Sequence, residues 1–214
     1  MNEGRLDPHK GGAVAAEVRE LGGSAGQAVL ETERLELRPS EPQFFEEIWA
    51  AIQSSISELR AWMHWAVEAR EEATREFLQE SAEEWASGRD RHFTLFLDGS
   101  ACGSCSLIRV DPLHMSAEIG YWMRSDLCGK NLMTEAASAV VGFGFWQEGL
   151  HRIELHAGVN NQGSIRVAEK LGFQREGTLR HGGRGADGFY DTYVYGLLNT
   201  DPRPDLEQHA LPGK

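Results

Sequence analysis

Apolar residues change their spacing repeatedly along this chain, and each change marks an element. From Thr32 to Arg38, Leu35 and Leu37 alternate with charge, which predicts a strand stopped by Pro39. From Glu41 the spacing lengthens to three or four. Phe45, Ile48, Ile52, Ile56 and Leu59 then lie on one face of a helix, with Pro42 near its first turn. A second helix is expected over about Glu71 to Ser87, with Ala73, Phe77, Leu78 and Trp85 inward. Three strands follow, Arg91 to Leu97, Ala101 to Val110 and His114 to Arg124, and Asp98-Gly99 turns the first into the second.

The stretch from Asp126 to Gln147 organises the rest. Its polar turn, Cys128-Gly129-Lys130-Asn131, opens an apolar helix carrying Leu132, Met133, Ala136, Ala137, Val140, Val141 and Phe145. Gly142 and Gly144 inside it point to close packing on the sheet. His151 to Val159 is the next strand, and the strand–helix–strand order makes it parallel to 114–124. Asn161 is the expected N-cap of a short helix, Ser164 to Leu171, closed by Gly172. The last strands are Phe173 to Arg180 and Phe189 to Leu198, joined by a glycine-rich loop at 181–188. Residues 1–28 read as an arm holding a short helix over Ala13 to Leu21, residues 29–200 as one domain, and 201–214 as a tail.

Composition narrows the classes. At 214 residues and 41% hydrophobic content, one domain with a substantial core is expected. No apolar run is long enough to span a bilayer, and the start lacks an apolar signal core, so a soluble cytoplasmic protein with no membrane partner is expected. A formal charge of −12 argues against direct nucleic-acid binding and favours cationic partners, amines or basic proteins. Cys102 and Cys105 form a C-x-x-C with no second pair, and both read as packing residues rather than metal ligands. Cys128 sits in the polar turn with no histidine beside it, so a nucleophile role is not expected.

The turn has chemistry of its own. A strand, a tight turn and a helix N-terminus form an anion site, because first-turn amides lack partners and the helix dipole favours negative charge. Gly129 permits close backbone approach, and Lys130 adds positive charge. A coenzyme pyrophosphate is the expected occupant, against the blander reading of an ordinary connection. The aromatic cluster Trp62-Met63-His64-Trp65 either plugs the end of the core or walls an acceptor pocket.

Three strings, AEIGYWM at 117–123, GKNLMTEA at 129–136 and NQGSIRVAEKLGF at 161–173, resemble the GNAT superfamily of acyl-CoA-dependent N-acetyltransferases, and within it the ribosomal-protein enzymes of the RimJ/RimL type. The likeness covers about residues 30–200, and DGFYDTYVYGLL at 187–198 resembles the family's final strand. It departs in the coenzyme turn, where Asn131 replaces a second glycine. Asn tolerates left-handed backbone.

The resemblance implies an α+β fold: a mixed, mostly antiparallel central sheet with a splayed parallel strand pair, flanked by helices. It implies acetyl-CoA as cosubstrate, no metal, and an amine acceptor, with monomer and homodimer both open. Pantetheine would pair with backbone near Tyr121, Trp122, Met123 and Arg124. The pyrophosphate would meet Leu127 to Thr134, including Gly129, Lys130, Asn131, Leu132, Met133 and Thr134, and Asn161 and Ser164 would contact the distal arm. Glu118 is the candidate base, or else a surface ion-pair partner, and Ser164 the candidate acid, or else a helix cap. Trp62, Trp65, Tyr121 and Tyr190 would line the acceptor pocket. The implied reaction is acetylation of a primary amine, with the N-terminal α-amine of a ribosomal protein foremost. The alternatives are a small amine, such as an antibiotic or aminoacyl nucleotide, and a non-catalytic acyl-CoA-binding module.

Overall fold

The computed structural model describes residues 17–20 and 28–202. Among these residues nine strands form one sheet: β1 (Glu17–Glu20), β2 (Ala28–Glu31), β3 (Leu35–Pro39), β4 (Arg91–Leu97), β5 (Ser100–Asp111), β6 (Ser116–Met123), β7 (Arg152–Gly158), β8 (Gln174–Gly185) and β9 (Gly188–Leu198), in the order β1-β2-β3-β4-β5-β6-β7-β9-β8. All neighbours are antiparallel except β6 and β7. The helices are α1 (Phe45–Gln53), α2 (Ile56–Leu59), α3 (His64–Val67), α4 (Glu71–Ser87), α5 (Leu132–Trp146) and α6 (Gln162–Lys170). The mixed sheet with one parallel pair is the architecture that the sequence led us to expect.

Strand alternation gives the sheet two unlike faces. One carries Leu37, Phe93, Leu95, Leu107, Ile119 and Leu155, which pack with α5 into the main core. Burying each such side chain stabilises by roughly 1.5–3 kcal/mol. The other face carries Thr94, Phe96, Ser104, Ser106, Glu118 and Trp122 and turns toward α1 to α4. Gly144 lets α5 settle on the first face: a Cβ there would lie 3.0 Å from both Leu107 and Ile153. Gly142 differs, since the ring of Trp146 on its own helix fills that space.

Four boundaries depart from the sequence pattern. The expected helix over 13–21 is overturned where it is described, because Glu17–Glu20 is a strand paired with β2; the remainder lies outside the described residues. A nine-residue helix is marginal alone, whereas the β2 edge offers backbone partners. The first expected strand, Thr32 to Arg38, begins only at Leu35: residues 32–34 form a turn after an additional strand, β2, and the turn is held by Glu135, which accepts from Thr32 Oγ1 at 2.6 Å and the Arg34 amide at 2.8 Å. The first helix breaks after Gln53, where Ser54 Oγ bonds back to the Ala51 carbonyl at 2.8 Å and Ser55 leaves helical backbone.

The glycine-rich stretch 181–188 is not a loop. Pairing continues to Gly185↔Gly188 and leaves a two-residue turn. The hairpin tip reaches back to the segment between α2 and α3, where the Ala186 amide donates to the Arg60 carbonyl at 2.8 Å. Any side chain on Gly185 would strike the Ala61 carbonyl, so glycine serves close backbone approach here.

Candidate active site

The parallel pairing of β6 with β7 runs only from Ser116↔Arg152 to Ile119↔Leu155. Beyond it the two strands part, each held by its outer neighbour: β6 by β5 as far as Gly103↔Met123, and β7 by β9 as far as Gly158↔Thr192. Alternate residues of a strand aim their amides and carbonyls to opposite sides. The Arg124 amide donates to the Cys102 carbonyl at 2.8 Å, so Trp122 and Arg124 face β5. Tyr121 and Met123 therefore present their backbone groups to the split.

Two cavities meet there. The first, about 460 Å³, runs along Met123, Leu127, Cys128, Gly129, Asn131 and the start of α5 to Arg166 and Lys170 on α6. The second, about 500 Å³, lies between the polar sheet face and α4. Trp62, Met63, Tyr121, Trp122, Asn161 and Ser164 line both.

The first cavity ends at a tight turn and an open helix N-terminus, a geometry able to hold an anion. Gly129 (φ 79°) and Asn131 (φ 63°) are both left-handed, so Asn131 keeps the turn shape that glycine would give. The first helical bond of α5 runs from the Glu135 amide to the Asn131 carbonyl at 3.1 Å, leaving the amides of Leu132, Met133 and Thr134 outside the intrahelical ladder. Asn131 does not cap the helix; its Oδ1 accepts from Lys170 Nζ at 2.6 Å. Cys128 is exposed, and its thiol is pushed up by partial burial and then by Asp126 and Glu58, which leaves it a poor nucleophile. Cys102 and Cys105 are buried packing residues, and burial pushes the Cys102 thiol up to about 11.

At the junction, Asn161 caps α6 by accepting from the Ser164 amide at 3.1 Å. Ser164 is thus free of the capping role, and its Oγ lies 2.9 Å from Tyr121 Oη. Burial pushes the Tyr121 phenol well above its ordinary range, with the Ser164 hydrogen bond opposing it. The Tyr190 hydroxyl donates to the Trp62 carbonyl at 2.7 Å, and the two rings meet edge to face at 5.7 Å. Trp65 meets Trp122 in the same way at 6.0 Å. Glu118 lies inside the second cavity, its side chain 16% exposed and ion-paired with Arg109 at 2.5 Å. His156 Nδ1 is 3.8 Å from the same carboxylate. His156 Nε2 is buried without a hydrogen bond, although it lies 3.4 Å from Glu154 Oε2.

The structure thus brings together Glu118, Ser164, Tyr121, Tyr190, Trp62 and Trp65, with Trp122, Met123, Gly129, Asn131, Leu132, Met133, Thr134 and Asn161 along the channel. Arg124 and Lys130 stand apart. Arg124 is bound to Asp126 at 2.8 Å and gives its amide to β5, while Lys130 is exposed and offers its carbonyl to Arg34 at 3.1 Å.

Sequence reasoning missed Arg166, Lys170 and His156, and also the buried polar groups Ser40, His92, Thr94, Ser104 and Ser106. The last four alternate along β4 and β5, a pattern that reads as a solvent face until helices are known to cover it. Glu84, Asp90 and His92 bring one ligand atom each within 4.8 Å of one another, a grouping able to hold a cation. There, however, His92 Nε2 already pairs with Glu84 at 3.1 Å. Among the described residues, no helix is long and apolar enough to cross a membrane.

Comparison with known proteins bears on this geometry. A family model described as "Acetyltransferase (GNAT) domain" matches residues 34–174. YdaF of Bacillus subtilis (strain 168) is 30% identical over 171 residues, covering 79% of this chain and 93% of that protein. The ribosomal-protein-serine acetyltransferase of Escherichia coli (strain K12) is 26% identical over 168 residues, covering 78% and 94%. Among solved structures, RimL, a ribosomal L7/L12 alpha-N-protein acetyltransferase in complex with coenzyme A, superposes with a TM-score of 0.74 at 21% identity, covering 78% of this chain and 95% of that one.

Proposed function

The chain belongs to the GNAT acetyltransferase family, and from that premise we propose that it moves an acetyl group from acetyl-CoA to the N-terminal α-amine of a ribosomal protein. The observation that carries this reading is the parting of β6 and β7 after Ile119↔Leu155, which frees the backbone of Tyr121 and Met123 where the two cavities meet. Pantetheine pairs with that backbone in place of a strand, and the pyrophosphate takes the amides at the start of α5, with Arg166 and Lys170 beside it.

The reaction then needs few groups. The neutral amine attacks the thioester carbon, and its proton passes to Glu118, directly or through water. The amide of Tyr121 or Met123 stabilises the oxyanion. As the C–S bond breaks, the thiolate takes a proton from the Ser164–Tyr121 hydroxyl pair. The buried phenol keeps its proton until then. The α-amine has an ordinary pKa of about 8, so a useful fraction is already neutral. An acidic chain, at −12, favours approach of basic ribosomal proteins. On this reading the enzyme works in the cytoplasm, where those proteins are made.

One observation favours a second reading, acetylation of a free small amine: the acceptor cavity, at about 500 Å³, has the size of a small-molecule pocket. Incubating the protein with acetyl-CoA, ribosomal-protein N-terminal peptides and a panel of small amines, followed by mass spectrometry, tests both. The first reading expects the acetyl mass on an N-terminal residue. Acetylation confined to small amines transfers support to the second, and no acetylated product with either set counts against both.

A further inference from the structure

The floor of the acceptor cavity is polar where a core would be apolar. Ser106 lies opposite Gly120 on the neighbouring strand, and His92 lies opposite Ser106 one strand further on. Ser104 sits beside them, opposite Trp122. Burying a hydroxyl without a partner is costly, and these groups lie in a chain. Ser104 Oγ is 3.5 Å from Ser106 Oγ, Ser106 Oγ is 3.0 Å from His92 Nδ1, and His92 Nε2 is 3.1 Å from Glu84 Oε2.

The chain has a direction. The Glu84 carboxylate only accepts, so His92 Nε2 carries the hydrogen and donates. Burial pushes the His92 imidazole down, which keeps the ring neutral near pH 7. Its Nδ1 is therefore an acceptor, and Ser106 must donate to it. With that hydrogen committed, Ser104 donates to Ser106. Ser106 then turns only lone pairs toward the cavity, and Ser104 does so while its long 3.5 Å bond is made.

We propose that Ser104 and Ser106, oriented by His92 and Glu84, form an acceptor subsite that binds a second hydrogen-bond donor, an ammonium first and a hydroxyl second, on the amine being acetylated. The subsite lies one strand from Gly120, and strands are spaced about 4.8 Å apart. The second donor therefore stands roughly 5–9 Å from the reacting nitrogen, the reach of a long polar side chain or a diamine. Glu118 lines the same cavity, where Arg109 pairs with it. This inference rests on the acceptor cavity assigned above.

The test compares n-pentylamine with pentamethylenediamine and aminopentanol, each titrated calorimetrically into the full chain saturated with CoA. The diamine is expected to bind about tenfold or more tightly than pentylamine, and the amino alcohol several-fold more tightly, as bonds to charged and neutral partners differ. Ser106→Ala and Ser104→Ala should bring these ratios toward one, and Ser106→Thr, which keeps a hydroxyl, should restore them. Thermal denaturation identifies any variant that fails to fold, in which case the ratio in the other decides. Equal binding of all three amines to the unaltered protein overturns the inference, as does a preference that survives both alanine variants. A separate titration with acetyl-CoA tests the transferase reading. Selective amine binding to the CoA complex with no binding of acetyl-CoA leaves the subsite standing and counts against the proposed transfer from acetyl-CoA.

Discussion

The two cavities that meet at the β6–β7 split are built from different materials. The channel we assign to the coenzyme is made of backbone. It uses unpaired main chain on Tyr121 and Met123, two left-handed turn residues and the open end of α5. The acceptor cavity is made of side chains, namely aromatic walls from the α2–α3 segment, the Glu118 carboxylate on β6, His156 on β7, and hydroxyls on β4 and β5. A backbone site depends on how the chain bends and tolerates most side-chain changes. A side-chain site can be rewritten one residue at a time without moving the strands. On the proposed function, the cosubstrate is thus held by what is hard to alter, and the acceptor by what is easy.

The largest expected effect that would sharpen this contrast is on Glu118. Glu118→Gln should slow acetyl transfer by about 10²–10⁴-fold, the range of a general base, while the acetyl-CoA Kd by calorimetry stays put. A matching loss of acetyl-CoA affinity would merge the two sites into one. Next comes the turn. Asn131→Val puts a β-branched residue in left-handed backbone, costing about 1–2 kcal/mol, so the acetyl-CoA Kd should weaken about tenfold. The acceptor KM at saturating coenzyme should not change. Asn131→Gly keeps the turn and releases Lys170 from its 2.6 Å bond, so coenzyme affinity should hold or improve.

The junction gives a smaller effect. Tyr121→Phe and Ser164→Ala should each slow turnover, and the double variant should be less impaired than the product of the two, with a coupling of about 0.5–3 kcal/mol. Additive losses would show that the 2.9 Å hydroxyl pair does not act as a unit. The smallest effect is on stability. The His92 imidazole is pushed down by burial in the folded state and titrates near 6.5 when unfolded. Above that pH neither state takes the proton, so stability is flat with respect to this group. As pH falls below it, the unfolded chain binds the proton first and stability drops, until the folded pKa is passed. Denaturation midpoints at pH 7 and pH 5 should show this loss, and His92→Gln should reduce it.

The same contrast governs what could be read in the sequence. The coenzyme turn is contiguous, so Gly129, Asn131 and the helix after them stand together in the chain. Asn161 and Ser164 follow within one short helix. The acceptor cavity draws on Ser40, Trp62, Phe77, His92, Ser106, Glu118, His156 and Tyr190, which nothing in the chain order joins. Its hydroxyls alternate on strands and look solvated, because their cover comes from α1 and α4, elements placed only by the fold. Lys130 shows the opposite failure: a cation in the right turn pattern points to solvent, while the cations at the channel, Arg166 and Lys170, come from α6. The glycines at 181–188 signalled a loop because glycine weakens strands. What they serve is the contact of a hairpin tip with Arg60 and Ala61.

That clasp has a consequence for how the enzyme comes into being during translation. The wall bearing Trp62 is synthesised early, yet the atoms that pin it, the Ala186 amide and the Tyr190 hydroxyl, emerge more than half a chain later. A nascent chain ending before this hairpin would hold the turn at Gly129 and the start of α5, but neither the pinned Trp62 wall nor β9, which holds β7 on its side of the split. On the proposed function, both chambers are therefore completed by the same late hairpin.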